Sequence, residues 1–176
     1  YFVEEIGRRI KEEGLQITAV TTSSVTSKQA EGLNIPLKSI DQVDFVDLTV
    51  DGADEVDSDN NMIKGMGAAM FKEKLNILNS KKTYILIDDS KFVNSLGEKH
   101  PVPVEVFPTS EEYVSEELMR LGAVDIAFRG ETENGNSILD VRFDKIDKSL
   151  EKKIKNITGV IESGLFIGYD VEIIHK

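Results

Sequence analysis

The sequence predicts an α/β protein in which helices cover both faces of a parallel sheet and a small α+β unit is inserted near the C-terminal end. Three observations carry this. Helix-spaced apolar segments alternate with short β-branched runs through the first half of the chain. Those runs end abruptly in polar turns, as where residues 44–50 meet Asp51-Gly52-Ala53-Asp54-Glu55, which is how a buried parallel strand reads. After the two prolines around Val102 the order becomes strand, helix, strand, hairpin, strand, helix, strand.

Phe2, Val3, Ile6 and Ile10 fall at helical spacing and Gly14 supplies a stop, so residues 1–13 read as a helix packed on a sheet. Residues 15–21 read as a strand. The hydroxyls of Thr21, Thr22, Ser23, Ser24 and Thr26 could meet a phosphate or a sugar, but capping of the next helix is the favoured use. Asn34-Ile35-Pro36 breaks that helix, residues 44–50 form a strand, and residues 83–87 (TYILI) form another that leads to Asp88, Asp89, Ser90 and Lys91.

In the second unit residues 101–106 read as a strand, and Thr109 with Glu112 as a capping box for a helix whose apolar face is Val114, Leu118 and Leu121. Residues 123–128 and 137–143 flank a turn containing Asn134-Gly135, a hairpin signal. Leu150, Ile154 and Ile157 mark a helix closed by Gly159, residues 160–167 (VIESGLFI) a strand, and residues 169–174 a strand returning to the main sheet. The expected division is therefore residues 1–98 with 168–176 as one domain and residues 99–167 as the other.

Composition excludes several chemistries. A chain of 176 residues can bury a core for one domain with an inserted unit. With no cysteine, disulfides, thiolate catalysis and cysteine-ligated metals are ruled out, and His100 and His175 lie in no metal-binding spacing and read as surface residues. The net charge of −11 argues against nucleic-acid and membrane partners. It also repels phosphate esters, so any anion site must be local, built from Lys64, Lys91 and helix N-termini. No apolar run approaches the roughly 18 residues of a membrane span and no signal pattern opens the sequence, so a cytoplasmic location is expected.

The chemistry concentrates between residues 44 and 74. A strand over residues 44–50 puts Asp51 and Asp54 at a sheet's C-terminal edge, where open α/β sheets bind ligands. Lys64-Gly65-Met66-Gly67 opens onto a helix start, where free N–H groups favour an anion. Alone that motif is weak, since such glycines usually punctuate turns; its coupling to DGADE strengthens it. Glu73 follows Ala69 by four residues and precedes Ile77 by four, on a largely apolar face, so burial would raise its pKa and make it a candidate general base. From periodicity alone, an ordinary solvated glutamate beside Lys72 and Lys74 is favoured. Lys91, at another strand's end, either completes an anion site with Lys64 or is an exposed lysine in a short helix.

Taken in order, DGADE at residues 51–55, KGxGAAxxxEK at 64–74, DxSK at 88–91, SLG at 95–97, PVEV at 103–106, NGNxILDV at 134–141 and the closing GV and GLF resemble the type A ribose-5-phosphate isomerases. The resemblance covers nearly the whole sequence. It implies a Rossmann-like domain interrupted by a small ferredoxin-like one, assembled as a homodimer or homotetramer. It also implies interconversion of D-ribose 5-phosphate and D-ribulose 5-phosphate through an enediolate, in the non-oxidative pentose phosphate pathway, with no cofactor and no metal. Glu73 matches the family's proton acceptor, and Asp51, Asp54 and Lys64 match residues that hold the sugar hydroxyls and steady the oxyanion. Lys91 matches a substrate-binding lysine at the phosphate, and Gly52, Ala53, Gly65, Met66 and Gly67 line the site. Magnesium on the paired aspartates is disfavoured, because a nearby lysine already supplies positive charge.

Two departures stand out. Met66 occupies a position where the family generally has glycine, so its side chain crowds the sugar, forces another backbone angle, or points away. The family also carries a Gly-Thr-Gly-Ser-Thr phosphate loop ahead of a helix resembling residues 1–9. The expectation is thus either a fragment or a protein lacking one wall of its phosphate site. Two alternatives follow: a non-catalytic sugar-phosphate sensor, and an inactive piece of the isomerase. Glu73 favours the enzyme, since a module that only binds has no need of a base.

Overall fold

The computed structural model describes residues 2–176. Helix α1 (Phe2–Glu13) stops at Gly14, whose φ is 67°. It lies against α2 (Ser24–Gly32) rather than on a sheet, with Gly7 so close to Leu33 that a Cβ would stand 2.8 Å from Cδ1. Residue 1 of the expected helix lies outside the described residues. Ser23 caps α2 by accepting from the Thr26 N–H at 3.2 Å, and Thr21 and Ser27 hydroxyls pair at 2.6 Å, so the hydroxyl cluster serves the helix start as favoured.

The strand expected over residues 15–21 does not form. Among the described residues its ladder is one parallel bridge, Ala19 to Leu37, and residues 15–18 are solvent-exposed. A strand persists through its neighbours' hydrogen bonds, and one rung does not make a sheet. The strand expected over residues 44–50 is also shorter, reduced to β1 (Thr49–Asp51) and a separate bridge from Val46 to Ser80. Phe45 and Leu48 stay about half exposed, and Phe45 lies under the Lys81 ammonium at 3.6 Å, so this run is an edge with one wet side.

A parallel sheet of order β1-β4-β10 joins β1 to β4 (Thr83–Ile87) and β10 (Glu172–His175), with Ile85 of the central strand aligned to both Asp51 and Ile173. β10 is the expected return. Beside it lies an antiparallel sheet of β2 (Glu55–Val56), β3 (Met62–Ile63) and β9 (Leu165–Phe166), with side chains fully buried. Helix α3 (Met70–Leu78) connects β3 to β4 and carries the central motif's second half.

The remaining elements run β5 (Val102–Val106), α4 (Glu111–Arg120), β6 (Ala123–Glu131), β7 (Ser137–Phe143), α5 (Leu150–Lys155) and β8 (Val160–Ser163). Their sheet order, β6-β7-β5-β8, all antiparallel, is the ferredoxin-like arrangement of a β-α-β-β-α-β unit. Its core is Val104, Val106, Val114, Leu118, Leu139, Val141 and Ile154. The capping box at Thr109 is not made. Thr109 turns the chain at φ 75°, and α4 starts after Ser110, whose hydroxyl donates back to the Phe107 carbonyl at 2.6 Å.

Residues 160–167 are not one strand but two. They divide at Gly164, so that β8 pairs with β5 and β9 with β3. A Cβ on Gly164 would fall 2.1 Å from the Lys64 carbonyl oxygen and 2.7 Å from Pro103 Cδ. Only glycine lets three backbones meet there.

Candidate active site

β1 delivers Asp51 at its C-terminal end, and β3 delivers Lys64, whose N–H donates to the Gly164 carbonyl at 2.9 Å. The lysine side chain is 3% exposed, with its ammonium 5.6 Å from the centre of the Phe166 ring. Its ammonium donates to Asp51 Oδ2 at 2.8 Å and to the Gly52 carbonyl, and stands 3.3 Å from Glu73 Oε2. Desolvation alone would lower the pKa of such a lysine. The charges of Glu73 and Asp51 outweigh it and hold Lys64 above its ordinary value, so it stays an ammonium.

Glu73 sits in the first turn of α3 with its side chain 13% exposed. Periodicity alone favoured a solvated glutamate here; the structure buries it. That burial raises its pKa, Lys64 pulls it back, Asp51 and Asp54 raise it again, and the balance leaves it at about 7. Its buried Oε2 makes the ion-pair approach to Lys64 but no hydrogen bond among the described residues. A carboxylate that titrates near neutrality and keeps a lone pair unengaged is equipped to take up a proton.

Asp54 accepts from the Met66 N–H at 3.1 Å, tying DGADE to the glycine loop. Gly65 has φ 101° and Ala68 φ 61°, whereas Met66 does not enter the left-handed region. A side chain at Met66 therefore requires no backbone strain, and it is partly exposed. Helix α3 follows Ala69, which supplies no side-chain cap for its first N–H groups. Gly52 and Ala53 form the turn between Asp51 and Asp54.

Asp51, Asp54, Lys64 and Glu73 are thus brought together; Lys91 is not in contact with them. It ends a single 3₁₀ turn (Asp89–Lys91) after β4, half-buried; its N–H donates to the Asp88 carbonyl at 3.1 Å, and its side chain makes no hydrogen bond or ion pair among the described residues. Because β1 and β4 are parallel neighbours, Lys91 nonetheless leaves the same sheet edge as Asp51. His175 is exposed and pairs with Asp89 at 2.7 Å, away from this cluster.

Three supporting residues escaped sequence reasoning. Glu55, fully buried, accepts from the N–H groups of Gly97 and Lys99 at 2.7 Å and from that of His100, so the last acid of DGADE holds a loop. Lys74 donates to Glu151 at 2.7 Å, Glu162 at 2.9 Å and the Leu165 carbonyl at 2.8 Å. Arg129 of β6 donates to the carbonyls of Gly65 at 3.0 Å and Met66 at 2.7 Å. These partners lie more than forty residues from one another in sequence, beyond the reach of any spacing rule.

Residues 18–175 match the family described as Ribose 5-phosphate isomerase A (phosphoriboisomerase A). The chain is 55% identical over 174 residues to the Ribose-5-phosphate isomerase A of Streptococcus pneumoniae, a match covering 94% of this chain and 76% of that protein. Among solved structures it resembles the ribose 5-phosphate isomerase A of Methanocaldococcus jannaschii with a TM-score of 0.93 at 37% identity, covering 99% of this chain and 80% of that one. A D-ribose-5-phosphate isomerase solved in complex with phospho-erythronic acid gives a TM-score of 0.94 at 37% identity, with coverage of 99% and 81%.

Proposed function

The chain belongs to the ribose 5-phosphate isomerase A family, and from that premise we infer how its site divides the work of the reaction. The protein is an aldose–ketose isomerase that interconverts D-ribose 5-phosphate and D-ribulose 5-phosphate. From the open-chain aldose, a base removes the C2 proton; the C–H electrons form the C1–C2 double bond and the carbonyl electrons move onto O1. The enediolate collapses as the O2 proton passes to O1, C2 becomes the carbonyl and C1 takes the proton back from the base.

Glu73 is that base. Its pKa of about 7 lets it be unprotonated when the aldose arrives and still be acid enough to give the proton back. Lys64, held as an ammonium between Asp51 and Glu73, lies where a developing oxyanion can be neutralised in a site largely closed to water. Asp51 and Asp54 accept from sugar hydroxyls, the backbone at Gly52, Ala53, Gly65, Met66 and Gly67 lines the cleft, and Lys91, whose side chain makes no hydrogen bond or ion pair among the described residues, takes the phosphate.

The observation that carries this reading is the burial of Glu73 at 3.3 Å from Lys64. Turnover of ribose 5-phosphate by the chain, with Glu73→Gln beside it, tests it. We expect a loss of about 10³-fold or more in kcat; a variant within tenfold of the parent removes Glu73 from the role. We further propose residues 1–98 with 168–176 as the catalytic domain and 99–167 as the small one, supported by the pairing of β10 with β4. A cytoplasmic homodimer or homotetramer fits the family and the exposed Phe107, Tyr113, Val124 and Phe128; sedimentation gives its mass directly.

A further inference from the structure

Arg129 stands outside every motif that points to the site, yet it touches the loop on which the site depends. The register of β6 on β7 slips between Phe128, opposite Leu139, and Gly130, opposite Ile138, so Arg129 is the extra residue of a β-bulge. Bulges re-aim side chains, and this one sends a guanidinium out of the four-stranded sheet to the Gly65 and Met66 carbonyls. Its Nε faces Asp140 Oδ1 of β7 at 3.2 Å; both atoms are buried, and neither makes a hydrogen bond among the described residues. The acid thus holds the fork by charge while its two outer nitrogens do the gripping.

The consequence follows from peptide geometry. All peptide bonds among the described residues are trans, so each C=O points opposite to the N–H of its own plane. With the Gly65 carbonyl turned to Arg129, the Met66 N–H faces the other way, and it does meet Asp54 there. With the Met66 carbonyl turned to the same guanidinium, the Gly67 N–H of that plane points away from Arg129. Asp54 is itself near enough to Glu73 to raise its pKa.

We propose that Arg129 is a positioning residue for the isomerisation: by gripping two successive carbonyls it fixes the glycine loop so that the Gly67 N–H is presented to the developing enediolate. The substrate is never touched by the guanidinium. This inference rests on the site reading above, with Glu73 as base.

The test is steady-state kinetics on the chain carrying Arg129→Ala, with Arg129→Lys as the variant that keeps the charge and reaches one carbonyl. Arg129→Ala is expected to lower kcat about 10²-fold, the scale of losing one preorganised donor, with KM for ribose 5-phosphate changed less than about threefold. Millimolar guanidinium should restore at least tenfold of that loss, which general loosening of the fold does not predict. Should Arg129→Ala fail to fold, Arg129→Lys decides, with a fall in kcat of about tenfold expected. Parent-like kcat in whichever variant folds, or a loss that guanidinium leaves in place, overturns the proposal. Glu73→Gln run in parallel separates the two readings. If it is inactive while Arg129→Lys keeps the parent kcat, the inference alone fails; if it keeps the parent activity, the site reading fails first.

Discussion

Glu73 shows how two neighbouring lysines can mislead a reading by spacing. Lys72 faces solvent and approaches Glu133 at 3.9 Å, Lys74 is buried on the opposite side, and Glu73 between them turns into the cleft. The pH dependence of turnover follows from its environment. Below about 7 Glu73 is protonated and unable to accept, so with Glu73 as the proposed base kcat/KM should fall tenfold per pH unit on the acid side and level off above. A pH–rate profile with an acid limb near 4.5, the ordinary value of a glutamate, would place the titrating group elsewhere. Asp51, Asp54 and Lys64 were legible from one short strand end and one glycine loop, because both halves lie in a continuous stretch of sequence. Glu55 and Arg129 were not, since their partners are backbone groups from distant segments, and backbone leaves no mark in a pattern of side chains.

Among the elements, strands flanked on both sides were well placed by their apolar runs: β4 and β5 are where the sequence puts them. Edges were overcalled, as at residues 15–21 and 44–50, because β-branched composition reports willingness to pair and not the presence of a neighbour. Residues 160–167 read as one strand in the sequence, whereas the missing side chain of Gly164 is what permits the change of sheet. Gly164→Ala should therefore cost about 3 kcal/mol or more, on the scale of severe core overpacking. It should also lower kcat, because the clash falls on the Lys64 carbonyl. Urea unfolding alongside turnover checks both, and an alanine tolerated within about 0.5 kcal/mol would mean that the backbones can part without harm.

Across the whole molecule, the two antiparallel sheets and the helix bearing Glu73 are tied by a buried ammonium. Lys74 reaches from α3 to Glu151 of α5, Glu162 of β8 and the Leu165 carbonyl of β9, with its ammonium 4.6 Å from the centre of the Phe166 ring. Lys74→Met should destabilise the protein by about 3–5 kcal/mol, because it strands two carboxylates that its charge now balances. A drop in the urea midpoint at unchanged m-value is the expected signature. Adding Glu151→Gln and Glu162→Gln should recover part of the loss.

The crossover at Gly164 bears on how the fold comes apart. The Gly164 N–H is bound to the Pro103 carbonyl of β5 and its carbonyl to the N–H of Lys64, so the last strand of each sheet meets the other at a single shared residue. Neither sheet can fray there without opening the other. The amides of β8, β9 and Lys64 should exchange with deuterium as one cooperative unit, at the rate of global unfolding. The lysine proposed to steady the reaction's charge then belongs to the part of the chain that melts last, and thermal fluctuations that loosen the exposed edges leave its position unchanged.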